Sequence, residues 1–239
     1  LAAMIVGILI GLIIGVFALK LKTNIILAGT AINIAGAGGT IFFLYLFTGL
    51  RGNTASLTTP QMLTPKINIP IIENIPVIGD IFSGHSILTY LSFILVIVWV
   101  LLYKTALGLR IRAVGENSNA ADSVGVSVLR TQYIAIMISG ALAGIGGAYM
   151  SMYYSQSWNT GIIAGRGFIA LAAQAMGQGE PVGAMLSSIL FGFASALGNK
   201  MEGLPGFSSY LVAAIPYAVT IIGLVIYAVT QLKKAKKKS

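Results

Sequence analysis

Residues 107–126, "LGLRIRAVGENSNAADSVGV", carry Arg110, Arg112, Glu116 and Asp122, while the runs on either side, 86–103 and 131–154, carry no charged residue at all. A chain that gathers its charges into an island between long apolar runs places the island in water and the runs in lipid. The whole composition repeats that contrast. Of 239 residues 56% are apolar and 9% are charged, with a mean hydropathy of +0.90, where a soluble domain carries about 25% charged residues. No soluble core could hide so much apolar surface.

A transmembrane helix needs about 20 predominantly apolar residues. Segments 1–19, 25–49, 86–103, 131–154, 166–176, 182–199 and 210–230 meet or approach that length. The expected fold is therefore all-α, a polytopic transmembrane helix bundle of about seven spans forming one membrane domain over 1–239. Segment 166–176, "RGFIALAAQAM", is short and runs into "GQGEP"; it is either partly re-entrant or begins before Arg166. Leu1 stands inside an apolar run with no n-region or cleavage site before it, so the chain is read as N-terminally truncated rather than as led by a signal peptide.

The net charge of +9 does not describe a nucleic-acid-binding face. Five of the fifteen basic residues fall in the tail "KKAKKKS", and most others flank apolar runs, which is orientation charge. With the tail 231–239 inside, alternation brings connections 20–24, 104–130 and 177–181 inside too. Eleven basic residues then lie inside, against Arg51, Lys66, Arg166 and Lys200 outside. The expected placement is multi-pass in a plasma membrane with a cytoplasmic C-terminus. The connection 50–85 lies outside. Pro60, Pro65, Pro70, Pro76 and the strand-like "INIPII" make it an extended or folded loop, either a cover for helix ends or a docking surface.

Several chemistries are excluded. Glu73, Asp80, Glu116, Asp122, Glu180 and Glu202 all fall in connections, so no carboxylate stands at membrane depth where an ion-coupled carrier keeps one. His85 is the lone histidine, at the outer edge of segment 86–103, and there is no cysteine; neither a catalytic constellation nor a metal cluster is expected. No "GxxxxGK[ST]" phosphate loop occurs, so any ATP-driven work needs a motor on another polypeptide.

Asn33 lies nine residues past Asn24 and Gln174 eight past Arg166, placing both about 12–14 Å from their segment ends. An amide at that depth needs a partner, either a neighbouring helix or a polar solute. Arg166, at the outer interface or the bundle interior, is a weaker candidate for the solute path. Gly7, Gly11 and Gly15 form a small-residue face, repeated at Gly140 and Gly144, which suits close helix packing. "AGAGGT" at 35–40 and "GIGGA" at 144–148 fit either packing or irregular backbone beside a path.

Within the island, Asn117, Ser118 and Asn119 are good N-cap residues for a short helix over "AADSVGV". Gly115 would allow a turn before it and Gly125 a turn after it. Asp122 would suit the helix dipole early in that helix. Ala120, Ala121 and Val124 would give it a small apolar face for a groove on a soluble partner.

In order along the chain, "LGLRIRAVGENSNAADSVGVSVLR", "ISGALAGIGGAYM" and "GRGFIALAAQAMGQGEPVGA" resemble the permease subunits of bacterial ABC importers. The branch is the one serving branched-chain amino acids, sugars such as ribose, and nucleosides, and the resemblance covers nearly the whole chain. "LTYLSF", "AGRGFIALAAQAMG" and the Lys-rich tail are most similar to nucleoside permeases paired with a lipoprotein binding protein. The resemblance implies a second permease subunit, cytoplasmic ATPase subunits holding ATP and Mg, and an extracellular solute-binding lipoprotein, with no cofactor in this chain. It implies ATPase docking at Arg112, Gly115, Glu116, Asn117, Ala120, Ala121 and Gly125, and at Gly177, Glu180 and Pro181 in the "GQGEP" turn, with the two loops unranked. Such permeases usually have more helices before the first one seen here. A sugar or branched-chain amino acid permease of the same family is the near alternative. A channel or facilitator acting alone is the distant one, since it has no use for the 107–126 island.

Overall fold

The computed structural model describes residues 1–50, 52–57, 65–67, 84–90 and 94–201, with isolated helical positions at 218, 221–223, 225 and 229. The chain forms two compact units, Leu1–Ile162 and Ile163–Ser239.

The first unit begins with α1 (Ala2–Gly15), which runs on as a π-helical turn (Val16–Lys20), and α2 (Ile25–Thr48). A short antiparallel ladder follows, β1 (Lys66–Ile67) with β2 (His85–Ser86), Lys66 opposite Ser86. Then come α3 (Ile87–Tyr90), α4 (Ile94–Lys104), α5 (Ala106–Glu116), α6 (Ser118–Ser123) and α7 (Val128–Tyr149), the last extended by a π-helical turn (Met150–Tyr154).

Glycine decides where α1 goes. Its buried residues are Gly7, Gly11 and Gly15. A Cβ at Gly7 would strike the Gly140 carbonyl, one at Gly140 the Gly7 carbonyl, and one at Gly144 the Ala3 carbonyl. A Cβ at Gly11 would sit 3.0 Å from the Ile136 carbonyl, and one at Gly15 2.9 Å from the Tyr133 ring. Each step of four down α1 is matched by a step of about four up α7, so the helices are antiparallel and touch backbone to backbone. Lipid offers no hydrophobic drive for association, and close van der Waals contact supplies it instead.

This seam sets the ends of the unit. Lys20 and Lys22 after α1 share one end with Arg130 at the start of α7, and α5 and α6 pack against α7 there. At the opposite end, Gly49 caps α2 in the left-handed conformation (φ +72°). Asn53 bridges to Asn159, and the Thr54 and Trp158 backbones bond at 3.0 Å. The glycines of α2 behave differently. A Cβ at Gly29, Gly36, Gly38 or Gly39 would meet nothing within 4 Å, and no α2 residue is buried. Close packing is thus realised at α1 and α7 and not at "AGAGGT". In "GIGGA", Gly144 packs, whereas the Gly146 and Gly147 carbonyls both accept the Met150 N–H where α7 loosens into its π turn.

The second unit holds α8 (Arg166–Met176) and α9 (Pro181–Met201). Gly177 and Gly183 meet backbone to backbone, and Ser187, Phe191, Ala194 and Gly198 form the buried stripe of α9. Gly223 belongs here too, its Cβ position lying 2.9 Å from the Met176 sulfur.

The all-α transmembrane bundle holds. Among the described residues four helices are long and apolar enough to cross: Ala2–Lys20, Ile25–Thr48, Val128–Tyr154 and Pro181–Lys200. The pair α4–α5, bent by 75°, would make a fifth. With Gly165 left-handed at φ +71° before it, α8 does not begin earlier than Arg166. Its 11 residues reach only about 16 Å, half of a hydrocarbon core of about 30 Å. Most of 210–230, most of loop 50–85 and all of the tail 231–239 lie outside the described residues. Ile34 at 74% exposure, Phe47 at 79% and Phe168 at 74% point to lipid or to partner helices, since this surface in water would aggregate.

Replacing Gly140 with Leu should force α1 from α7 and cost about 1–3 kcal/mol, read as a lowered melting temperature in detergent. Gly38→Ala, facing open space, should leave it unchanged or raise it.

Candidate functional site

The polar island folds into a corner built by Thr105. Its extended backbone (φ −117°, ψ 153°) stops α4. Its hydroxyl donates to the Leu101 carbonyl at 2.6 Å and accepts the Gly108 N–H at 3.1 Å, satisfying groups freed on both sides of the break. Gly108 is buried against the Leu101 and Leu102 backbone, where no side chain would fit. Arg112 then folds back over the break. Its Nε donates to the Leu102 carbonyl at 3.1 Å, and its guanidinium sits 4.5 Å from the centre of the Tyr103 ring.

Asn117 is shared by two helices. It ends α5 with an extended backbone (φ −152°) and caps α6, its Oδ1 accepting the Ala120 N–H at 3.1 Å. Gly125, at φ +81°, closes α6, with its N–H on the Asp122 carbonyl at 2.9 Å. Val114, Ala121 and Thr131 are buried at this end, where α5 and α6 lean on α7.

Three expectations about the island need correction. The stretch before Asn117 is filled by α5. Gly115 lies inside α5, with no turn to make. Asp122 falls in the last turn of α6, where it does not complement the dipole. The apolar face is split: Ala121 is 4% exposed and packs inward, whereas Val124 at 77% points out and Ala120 is also exposed. The helix ends at Ser123, and Val124 is its C-cap with φ −96° and ψ 15°, so it leaves the helical register that would align it with Ala120 and Ala121.

The turn 177–181 joins α8 to α9. Gln178 (φ +58°) and Gly179 (φ +73°) are left-handed. The Gly179 N–H donates to the Gln174 carbonyl at 3.0 Å, and the Glu180 carbonyl accepts the Ala184 N–H at 2.9 Å. Gly177 is occupied by packing against Gly183, whereas Glu180 is exposed and Pro181 half-buried. The docking candidates thus form two groups, the α5–α6 corner in the first unit and this turn in the second.

The path candidates fall in separate units, Asn33 in the first and Gln174 and Arg166 in the second. Asn33 is exposed on α2, in helical register with Gly29, Gly36 and Thr40, whose hydroxyl donates to the Gly36 carbonyl at 2.7 Å. Gln174 lies two residues from the end of α8, lining a shallow concavity with Leu171, Ala175, Gln178 and Gly179. Gln174 therefore sits beside the turn that ends α8. Arg166 occupies the other end of α8, its Nη1 3.5 Å from the Ile163 carbonyl. The sequence reading missed a second concavity, lined by Thr40, Phe43, Leu44, Phe47, Thr48, Thr54 and Trp158. The three- and four-residue spacing from Thr40 to Phe47 was its signal. Among the described residues no group of three His, Cys, Asp or Glu could hold a metal ion.

The family model for the permease component of branched-chain amino acid transport systems matches residues 1–230. Nucleoside ABC transporter permease protein NupC of Lactococcus lactis is 35% identical, over 93% of this chain and 70% of its own length. Guanosine ABC transporter permease protein NupQ of Bacillus subtilis is 37% identical, over 94% and 70%. Putative glucose ABC transporter permease protein TsgC13 of Haloferax volcanii is 35% identical, over 78% and 55%. No solved structure matches. The chain belongs to this permease family, the membrane-spanning subunits of ABC importers.

The two island glycines should respond oppositely to alanine. Gly125→Ala, at positive φ, should destabilise α6, with faster amide exchange over 118–126. Gly115→Ala, in the last turn of α5 at ordinary helical φ, should slow exchange there, gaining less than the about 1 kcal/mol of a helix interior.

Proposed function

We propose that this chain is the permease subunit of an importer that moves a nucleoside inward across the bacterial plasma membrane, driven by ATP on a partner. The carrying observation is similarity along 93–94% of the chain to a nucleoside and a guanosine permease. In this reading the whole chain is one permease domain with a cytoplasmic C-terminal tail. Its partners are cytoplasmic ATPase subunits binding ATP and Mg, a second permease subunit, and an extracellular solute-binding lipoprotein.

The α5–α6 corner supports the coupling role. It is rigidly tied to a membrane helix through Arg112 and Thr105, and it ends in an exposed apolar tip at Val124. Glu116, Asn117 and Ala120 surround that tip as exposed docking positions. Gly125 shapes it, and Ala121 anchors it from within. The turn with Gly177, Glu180 and Pro181 is the second docking position. Closure of the ATPases would push on these segments and shift the bundle between two packed states, open outward and then inward. Asn33, on the unburied α2, is the side chain best placed to meet a polar solute. Gln174 and Arg166 stand lower as path residues, each near an end of a half-length helix.

Proteoliposomes holding permease, ATPase and binding protein should take up labelled guanosine only with ATP on the ATPase side, and in preference to ribose and leucine. Uptake of any of these equally well without ATP would overturn the importer reading. Asn33→Ala should weaken uptake several-fold with assembly intact, read as a raised KM. Glu116→Lys with Val124→Asp should abolish copurification of the ATPase without loss of inserted permease.

A further inference from the structure

The end of α4 places cations on aromatic rings. Trp99 and Tyr103 stack with centres 5.8 Å apart. Lys104 Nζ lies 5.7 Å from the Trp99 ring centre, and the Arg112 guanidinium covers Tyr103. Indole and phenol rings favour the headgroup level of a bilayer, and Trp99 stands five residues, about 7 Å, before the end of α4. These rings fix the depth of the corner. With α4 standing along the bilayer normal, the 75° bend would turn α5 along the membrane surface.

The faces of α5 fit that position. Gly108 and Val114 are buried, whereas Leu109 is 61% exposed and Arg110 beside it is exposed too. An outward leucine next to an outward arginine suits an interface, one reaching the acyl boundary and the other the phosphates. The same end of the unit carries Lys20, Lys22 and Arg130, all exposed. Its acidic residues, among those described, are Glu116 and Asp122 alone.

We propose that the α4–α5 corner is a binding surface for anionic phospholipid. Lys104 and Arg110 meet the headgroup phosphates, with Trp99 and Leu109 seated below them. The surface is distinct from the tip at Val124, and it needs neither the solute nor the ATPase assignment to be correct.

The test is electron spin resonance of the full-length permease in phosphatidylcholine vesicles doped with spin-labelled phosphatidylglycerol or spin-labelled phosphatidylcholine. The protein-restricted fraction should favour phosphatidylglycerol several-fold at low salt. Lys104→Gln with Arg110→Gln, the basic tail intact, should remove most of that preference. Should the double variant not insert, 1 M salt gives the second measurement: with a Debye length of about 3 Å, it should abolish the preference of the unaltered protein. Equal association of the two lipids overturns the proposal. So does a preference that survives in the double variant, which would belong to the tail, or one that survives 1 M salt. Loss of the ATPase from the double variant with its lipid preference unchanged would assign the face to a protein partner and overturn the proposal as well.

Discussion

The contact of the Gly7 and Gly140 backbones is the constraint on which the first unit depends. With carbonyls of α1 and α7 closer than any side chain permits, the two helices are locked in register and antiparallel. That lock carries Lys20, Lys22 and Arg130 to one end. Because α5 and α6 lean on the start of α7, it carries the polar island there as well. The Asn53–Asn159 bridge and the Thr54–Trp158 pairing close the opposite end. One seam of small residues thereby separates the charged face from the face of the long loop.

Much of this was legible because lipid makes patterns simple. The four-residue glycine spacing gave both partners of the seam, and the apolar runs gave α1, α2, α7 and α9 close to their observed limits. Asn117 announced its cap, since a side-chain oxygen beside free N–H groups is a local matter. The island was less legible because its helices are decided by contacts. Ala121 and Val124 are both small apolar residues to a pattern, yet one packs on α7 and the other projects. The resemblance put Arg112 at a docking surface, and only the fold shows its contacts with the Tyr103 ring and the Leu102 carbonyl. The limits of α8, Arg166–Met176, were legible in the short segment 166–176, because its apolar run stops at the glycines of the following turn.

The family assignment and the geometry meet at the corner. In the proposed reading, work from a partner ATPase enters through the permease surface, and a surface that transmits force cannot be a loose loop. Thr105, Gly108 and Arg112 tie α5 to α4, Asn117 ties α6 to α5, and Ala121 ties α6 to the bundle. What remains outside is a short exposed tip. The proposed solute path is built with less constraint. The flank of α2 that bears Asn33 is exposed, which in the proposed reading leaves it to a second permease subunit.

The most direct measurement of this account is site-specific cross-linking from the corner, for which the absence of cysteine in the chain provides a clean background. Single cysteines at Val124 and at Ala121 would be treated with a thiol-reactive photocross-linker in the assembled transporter. The account predicts a strong permease–ATPase product from Val124→Cys, changing with ATP, and little from the buried Ala121→Cys. Equal yields from the two positions, or no product from Val124→Cys while Glu180→Cys gives one, would contradict it.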